Sequence, residues 1–513
     1  MAYAPPGVHN GLSNQTRKMA TQQRHVSLGL ALLVVCSCLH VCVSADSRPH
    51  ILLIFADDLG WGDVGFRDPD MVTPHIDRLA REGVNMGSSY MQQVCTPSRA
   101  AFLTGKYPFK MGLQHSVFSA LRNNSMPTDV SILPEHLKEL GYATHYVGKW
   151  HLGFCSKKMT PTYRGFDSFY GMYNGKGGYF DHLSKWKGYD MHEDKGKRPE
   201  DYTIAWKDQG VYSTNLFTDK TVQILREHDK TTPVFITLSY QAVHGPLEVP
   251  EHYVTNHCSH VTVDKKRKLH CAMTAAMDEG IGNVTSALDT LGYSDNLITL
   301  FVSDNGGPIK EGSSNWPLRG SKITLWEGGT RVVSILHSKK HLPDAPYQWD
   351  GLMHAIDWYP TLMKAAGYNQ PITGIDGVDN WQPIVSQGAS KRTEFVYNID
   401  DVKKFSALRD GKYKLIANKA GSPDGWFYPS CGAPPKPDPP RKYPKFMLFD
   451  IEGDPSEETD LSKDRRLRKT LRAMKRKLKA YKRQVVPSRE APKVPSGKPK
   501  NHGGAWVSGW CDA

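Results

Sequence analysis

The stretch His50-Ile-Leu-Leu-Ile-Phe-Ala56-Asp57-Asp58 is an uninterrupted apolar run that ends in two carboxylates. An apolar run without alternation is typical of a strand buried on both faces, as in a parallel sheet. Similar runs recur along the chain, at residues 143–147, 233–238, 297–302 and 332–336. We therefore expect a large central sheet built around residues 50–56.

Helix signals lie between these runs. Residues 73–83 open with Thr-Pro, place proline at the first helical position and end at glycine. Residues 96–105 repeat this pattern. Strands that alternate with helices are typical of a doubly wound α/β domain, in which helices flank a mostly parallel sheet. We assign residues 46–390 to this main domain.

The pattern changes beyond residue 390. Short apolar segments predict a small antiparallel sheet, at residues 395–398, 406–409, 413–416 and 446–451. A Pro-rich loop at 433–444 interrupts them, and the apolar spacing of residues 462–485 predicts one helix packed on that sheet. Residues 391–486 thus form a predicted α+β domain, followed by a basic tail, 487–513, whose Pro-, Lys- and Gly-rich part, 487–504, is expected to be mobile.

The first 45 residues have the features of a secretory signal peptide. Arg17, Lys18 and Arg24 precede the apolar stretch 28–43, and Val-Ser-Ala at 43–45 offers small residues for cleavage. An uncleaved signal anchor is the alternative. No other apolar run is long enough to span a bilayer, so we expect no stable membrane insertion. The predicted location is the secretory pathway, either extracellular or lysosomal.

The cysteines outside that segment are Cys95, Cys155, Cys258, Cys271, Cys431 and Cys511. A secretory address permits disulfides, and Cys258 and Cys271 are the expected pair because they are close in sequence. If Cys95 is used chemically, one of the remaining thiols stays unpaired. Asn123 and Asn283 stand in glycosylation tripeptides, which fit the same compartment.

The formal net charge is +13, and most of it is local. Residues 463–483 contain twelve Lys and Arg against one acid, Asp464, which gives +11 in this segment. Such a basic helix is either an ordinary solvated face or an electrostatic platform for an acidic polysaccharide. Nucleic acid is not an expected partner in the secretory compartment.

Polar residues follow the apolar runs at their carboxyl ends, the edge of an open α/β sheet where ligands bind. Asp57 and Asp58 follow the first run, and Asp304 and Asn305 follow run 297–302. Clustered carboxylates repel one another without a cation, and oxygen donors suit hard ions, so we expect a Ca²⁺ or Mg²⁺ site. The alternative is a helix cap and an ordinary turn.

Cys95 lies in Cys-Thr-Pro-Ser-Arg99, directly before the start of a predicted helix. A helix N-terminus favours anions and is expected to lower the thiol pKa. A buried structural cysteine is the alternative. The spacing from Cys95 to Arg99 is shorter than in cysteine-dependent phosphatases, so a simple thiolate nucleophile is not expected.

Five ordered motifs resemble those of the sulfatases. Cys95-Thr-Pro-Ser-Arg99, with Thr-Gly at 104–105, is similar to the signature C-x-P-x-R. The other matching segments are residues 55–63, 141–153, 303–307 and 315–329. The resemblance runs from residue 48 to the C-terminal strands and is closest to the arylsulfatase B-like branch, which includes N-acetylgalactosamine-4-sulfatase and arylsulfatases I and J. It implies an alkaline-phosphatase-like sandwich for the catalytic domain.

The resemblance also implies a chemistry. Cys95 would be oxidised to formylglycine by the formylglycine-generating enzyme, which reads the motif, and Arg99 would steady the aldehyde hydrate. Asp57, Asp58, Asp304 and Asn305, with the modified Cys95, match the metal ligands, which usually hold calcium. This agrees with the metal site predicted from the residues themselves.

The remaining motif residues match groups that handle sulfate and protons. Lys149 would oppose the sulfate charge, and His244 and Lys322 would contact sulfate and protonate the leaving alcohol. His151 would be the base for the second hydroxyl of the hydrate. Ser321 stands where the family pattern has an arginine beside Lys322.

The implied substrates are sulfated glycans of the N-acetylgalactosamine-4-sulfate type and synthetic aryl sulfates. Residues 114–127 lack two cysteines that the branch usually carries, and the loop 185–202 matches poorly, so both segments are expected to border the substrate cleft. A phosphate or phosphonate ester hydrolase, or a non-catalytic polyanion-binding homologue, is the alternative. The sequence leaves the oligomeric state open.

Overall fold

The computed structural model describes residues 48–428 and 442–512, together with residues 1, 3 and 439. Almost all of the predicted signal peptide lies outside the described residues, as does Cys431. In the described part of the chain, no helix is long and apolar enough to cross a bilayer. The strands are β1 (His50–Ala56), β2 (Val84–Met86), β3 (Ser89–Tyr90), β4 (Ala143–Lys149), β5 (Ser168–Met172), β6 (His192–Asp194), β7 (Tyr202–Ile204), β8 (Val234–Ser239), β9 (Leu297–Ser303), β10 (Ser334–His337), β11 (Tyr347–Trp349), β12 (Met353–His354), β13 (Glu394–Asp400), β14 (Phe405–Asp410), β15 (Tyr413–Ala417) and β16 (Phe446–Asp450).

Helices separate most of these strands along the chain. They are α1 (Pro74–Glu82), α2 (Cys95–Thr104), α3 (Leu133–Glu139), α4 (Ser213–Glu227), α5 (Glu251–His257), α6 (Lys265–Thr290), α7 (Glu327–Thr330), α8 (Trp358–Ala365), α9 (Trp381–Val385) and α10 (Arg468–Lys482). Both helices predicted from Thr-Pro starts are present, as α1 and α2.

The main sheet has ten strands in the order β11-β2-β10-β9-β1-β8-β4-β5-β6-β7. Strand β1 is buried along its whole length and pairs in parallel with β8 and β9. Strand β4 pairs in parallel with β8 on the far side. The predicted large, mostly parallel sheet is confirmed, although the run at 332–336 contributes to β10, which is antiparallel to β9.

The apolar side chains of β1 supply two separate cores. Because successive side chains of a strand point to opposite faces, Ile51, Leu53 and Phe55 pack into one core, and the apolar residues between them pack into the other. Residues of α2 and α8 join the first core, and residues of α1 and α6 join the second. Helices therefore cover the sheet on both faces, as an unalternating apolar strand requires.

The second sheet has four antiparallel strands in the order β13-β14-β15-β16. Helix α10 buries Met474 and Leu478 in the core that also contains one face of β1. The predicted small antiparallel sheet with one helix is confirmed. The helix is shorter than residues 462–485, because the Asp464 side chain accepts a hydrogen bond from the Arg466 N–H and begins a 3-10 turn before Arg468.

The C-terminal tail is packed, so the expectation of a mobile tail is wrong. The backbone N–H of Arg489 donates to the Gly112 carbonyl at 2.9 Å, and the Val494 N–H donates to the Leu121 carbonyl at 2.8 Å. Trp506 is fully buried. The composition of the tail is typical of a mobile segment, and it gives no sign of the hydrogen bonds that the tail backbone forms with a distant loop.

Two disulfides are present among the described residues. The expected pair Cys258–Cys271 is confirmed. Cys155 pairs with Cys511, which is 356 residues away in sequence, and this bond fastens the tail to the segment that follows β4. Cys95 is a free, buried cysteine.

Candidate active site

The neighbouring parallel strands β9, β1, β8 and β4 end at the same edge of the sheet. Asp57 and Asp58 directly follow β1, and Asp304 and Asn305 directly follow β9. Lys149 is the last residue of β4, and the turn after β8 leads to His244. The edge predicted to bind ligands therefore collects the predicted residues from four strands.

The polar residues that follow β1 and β9 are buried, and contacts join the two pairs. Asn305 Nδ2 donates to Asp58 Oδ1 at 2.7 Å, and the Asp58 backbone N–H donates to Asp304 Oδ1 at 3.3 Å. Asp58 has a φ of 67°, a left-handed conformation that few non-glycine residues adopt and that concentrates at functional sites. This turn places the Asp58 carboxylate beside the residues that follow β9.

Two lysines neutralise these carboxylates. Lys149, which is fully buried, forms an ion pair with Asp57. Lys322 Nζ lies 2.5 Å from Asp58 Oδ1. Burial opposes ionisation of Asp58, but Lys322 and His244 hold the pKa of its carboxyl well below the usual range. Burial and the neighbouring Asp57 raise the pKa of Asp304 to about 6.

Cys95 is the first residue of α2, and its sulfur lies among these charges. The Sγ atom is 3.4 Å from Asp57 Oδ1 and 3.6 Å from Lys322 Nζ. Burial and the Asp57 carboxylate raise the pKa of the thiol to about 12. This direction is opposite to the one expected from the helix N-terminus, because burial and a nearby anion disfavour the thiolate.

Arg99 lies one turn further along α2, on the same face as Cys95. Its Nε and Nη2 atoms each lie 2.9 Å from Asp304 Oδ2. Its Nη1 atom donates to the Lys149 carbonyl at 2.9 Å and to Ser239 Oγ at 2.5 Å. One buried guanidinium therefore links the ends of β4, β8 and β9 to the start of α2.

The two histidines of the motifs are held differently. His151 Nε2 lies 3.4 Å from the Phe118 carbonyl, and Nδ1 is buried with no hydrogen-bond partner among the described residues. Burial, Lys149 and Arg99 lower the pKa of His151 well below its usual value, so its ring is neutral. Gly175 packs against this ring so closely that an added Cβ would lie 2.1 Å from His151 Cε1.

His244 carries its ring proton on Nδ1. Nδ1 lies 2.7 Å from the Gly245 carbonyl, which can only accept, so Nδ1 is the donor. Nε2 lies 3.6 Å from Asp58 Oδ2. Burial and Lys322 lower the pKa of His244 to about 3.

These residues fit a hard divalent cation. Asp57, Asp58, Cys95 and His244 offer ligand atoms that all lie within 4.8 Å of one another. Asn305 Oδ1 is a buried acceptor without a hydrogen-bond partner among the described residues, as expected for an oxygen that faces a cation. His244 reaches this cluster from the turn after β8, next to the predicted ligands, as expected for a residue that would contact sulfate beside the cation.

A cavity of about 310 Å³ opens on this cluster. Cys95, His151, His244 and Lys322 line it, together with segment 115–118 and Lys185. Of the two segments predicted to border the cleft, 114–127 contributes residues 115–118 and Ala120, whereas 185–202 contributes only Lys185. Lys176 and Lys403 also line the cavity, but no motif marks them, since they lie in loops whose position depends on the fold.

Comparisons with known proteins agree on one family. Residues 49–368 match the family model described as Sulfatase. Arylsulfatase J of Mus musculus is 39% identical over 496 residues, which cover 90% of this chain and 80% of the relative. N-acetylgalactosamine-6-sulfatase of Mus musculus is 30% identical over 407 residues, 75% of each chain. The crystal structure of Ps i-CgsB in complex with k-i-k-neocarrahexaose has a TM-score of 0.75 and 27% identity, covering 89% of this chain and 98% of that one.

Proposed function

The chain belongs to the sulfatase family and is an arylsulfatase-type sulfuric ester hydrolase, and we propose that it acts through a formylglycine made from Cys95. The observation that carries this proposal is the setting of Cys95, which lines the cavity with its sulfur between Asp57 and Lys322. A hydrated aldehyde at this position supplies one hydroxyl to attack sulfur and a second whose deprotonation releases sulfate.

Cations of the chain would stabilise the reacting sulfate. Lys322 lines the cavity next to Cys95. Lys149 does not line the cavity; it is buried and forms an ion pair with Asp57. In a buried site, fixed positive charges stabilise negative charge that develops on the leaving oxygen and on sulfate. Arg99 does not line the cavity; it would fix the start of α2 and so the position of residue 95.

Two histidines would move protons. His151 is neutral with an unoccupied Nδ1, so it can accept the proton of the second hydroxyl. His244 has its proton on Nδ1, so Nε2 can donate to a leaving alcohol only when the ring is charged, a state that a bound sulfate ester favours. We assign delivery of that proton to His244 together with Lys322.

The cation that we assign to this site is Ca²⁺, with Mg²⁺ as the alternative. Its ligands would be Asp57, Asp58, Asp304, Asn305 and the modified Cys95. When bound, the ion would supply positive charge next to the sulfate. The unpartnered Asn305 Oδ1 and the three buried carboxylates support this assignment.

Removal of the cation with a chelator is expected to lower kcat/KM for an aryl sulfate by about 100-fold or more. The unfolding temperature should fall as well, because buried carboxylates lose their counter-charge. Elemental analysis and titration with Ca²⁺ or Mg²⁺ identify the ion. Asp304→Asn should weaken binding, whereas Asp295→Asn, at the opposite end of β9, should not. Full turnover by metal-free protein would contradict the assignment.

The proposed substrates are sulfated glycans, including esters of the N-acetylgalactosamine-4-sulfate type. The lysines that line the cavity support an acidic substrate. We place the protein in the secretory pathway, extracellular or lysosomal, since it carries two disulfides and exposes both Asn123 and Asn283.

The direct test is mass spectrometry of the tryptic peptide 82–99 from protein made in a secretory host. The active pool should carry an aldehyde at position 95. An unmodified thiol throughout the active pool would overturn the proposal. Parallel assays with an aryl sulfate and the matching aryl phosphate should show a clear preference for the sulfate.

A further inference from the structure

A second cleft continues from the active-site cavity toward the C-terminal tail. Its volume is about 240 Å³, and it shares segment 115–118 and Lys185 with the active-site cavity. Its other wall contains Arg122 and the tail residues Arg489, Glu490 and Lys493. The two cavities are therefore adjacent, with segment 115–118 and Lys185 at their common border.

The tail wall of this cleft is fixed in place. Asn124 Nδ2 donates to the Arg489 carbonyl at 2.9 Å, and the Ala491 N–H donates to Asn124 Oδ1 at 2.9 Å. Arg122 Nη1 donates to the Ala491 carbonyl at 2.6 Å. The Arg489 stem lies over Gly112, where an added Cβ would be 2.8 Å from Arg489 Cγ.

The charged side chains that line the two adjacent cavities are almost all positive. Seven cations line them, namely Arg122, Lys176, Lys185, Lys322, Lys403, Arg489 and Lys493. Glu490 is the one acid among the lining residues, and it lies 3.4 Å from Arg122. Lys185, Arg489 and Lys493 form no ion pair with any described residue. Uncompensated charge of one sign along a groove attracts a polyanion.

We propose that this tail cleft is a second anion subsite, in which Lys185, Arg489 and Lys493 bind an acidic group on the same glycan whose sulfate ester lies at Cys95. The proposal rests on the proposed function of the active site. The acidic group is a sulfate or a carboxylate, because both suit Arg and Lys donors. The subsite makes the enzyme selective for glycans with a second acidic group over glycans whose reacting sulfate is their only charge.

The test uses Arg489→Ala/Lys493→Ala in the full-length enzyme and three tetrasaccharides with the same reacting sulfate. Their adjoining sugars are neutral, sulfated or uronic. Wild type should show a lower KM for one or both acidic tetrasaccharides than for the neutral one. The double variant should raise that KM about tenfold and leave kcat unchanged, because two partly screened contacts are lost. The tetrasaccharide whose KM rises in the double variant, sulfated or uronic, identifies the group that the subsite binds.

The matched control is Arg472→Ala/Arg476→Ala, which removes two exposed charges from α10 and should change no KM. Turnover of an aryl sulfate, which is too small to reach the tail, should be equal in all variants. If the wild-type enzyme does not hydrolyse an aryl sulfate at all, the proposed function itself is refuted. Equal KM values for neutral and acidic tetrasaccharides, or an equal effect of the control variant, would overturn the subsite.

Discussion

Cys95→Ala is expected to lower turnover of an aryl sulfate by roughly 10⁴-fold or more, as removal of a nucleophile does in other hydrolases. The side chain lies between Asp57 and Lys322, and no other oxygen or sulfur nucleophile of the described residues is proposed for this position. Alanine favours the helix that begins at this residue, so α2 should persist. Initial rates and circular dichroism of the same preparation measure both effects.

Cys95→Ser separates attack from release. A serine hydroxyl at this position can attack sulfur, but it has no second hydroxyl to drive release of sulfate. We expect a single burst of aryl alcohol, comparable to the amount of enzyme, followed by almost no turnover. Continuous turnover by the serine variant, or substantial activity of Cys95→Ala, would contradict a mechanism that needs the aldehyde.

The sequence predicted the main sheet and most of the site for a shared physical reason. Residues 50–56 are apolar on both faces, which requires a buried central strand, and parallel neighbours of such a strand end at one edge. Asp57, Asp304 and Lys149 follow from that geometry, because each directly ends or follows a strand. The local sequence pattern was sufficient to predict a site residue wherever that residue ends or directly follows a strand of the main sheet.

Local pattern failed where long-range contacts decide the outcome. The pKa of Cys95 depends on burial and on Asp57, which is 38 positions away, rather than on its own helix. The tail is ordered by Gly112 and Leu121, which its composition cannot reveal. Lys176 and Lys403 reach the cavity from loops that carry no motif.

A buried charge cluster between the two sheets was likewise beyond sequence-based prediction. Lys414 on β15 is fully buried, with Nζ 2.9 Å from Glu327 Oε1 and 2.8 Å from Glu457 Oε1. Tyr90 and Tyr397 each donate to Glu327 at 2.7 Å. Burial raises the pKa of Glu457 to about 7, so the single lysine chiefly compensates Glu327. This cluster connects the small sheet to α7, which precedes strand β10 of the main sheet.

Lys414→Met is expected to lower the free energy of unfolding by about 3–5 kcal/mol, because it leaves buried carboxylates without a counter-charge. Methionine keeps most of the apolar stem, so the loss reports mainly on charge. Urea unfolding followed by tryptophan fluorescence measures it. Lys412→Met is the matched control, since Lys412 pairs with Asp450 at the exposed surface and its removal should change stability far less.

The pH dependence distinguishes lost charge compensation from lost packing. Without Lys414, the folded-state pKa of Glu327, now lowered, should rise above its unfolded value, and the pKa of Glu457, already about 7, should rise further. A carboxyl with a raised folded pKa is relatively stabilising at low pH, where it binds a proton, and becomes destabilising as pH rises. The deficit of Lys414→Met relative to wild type should therefore grow between about pH 5 and pH 8. A deficit that is constant over this range would show that packing, not the buried charge, joins the two sheets.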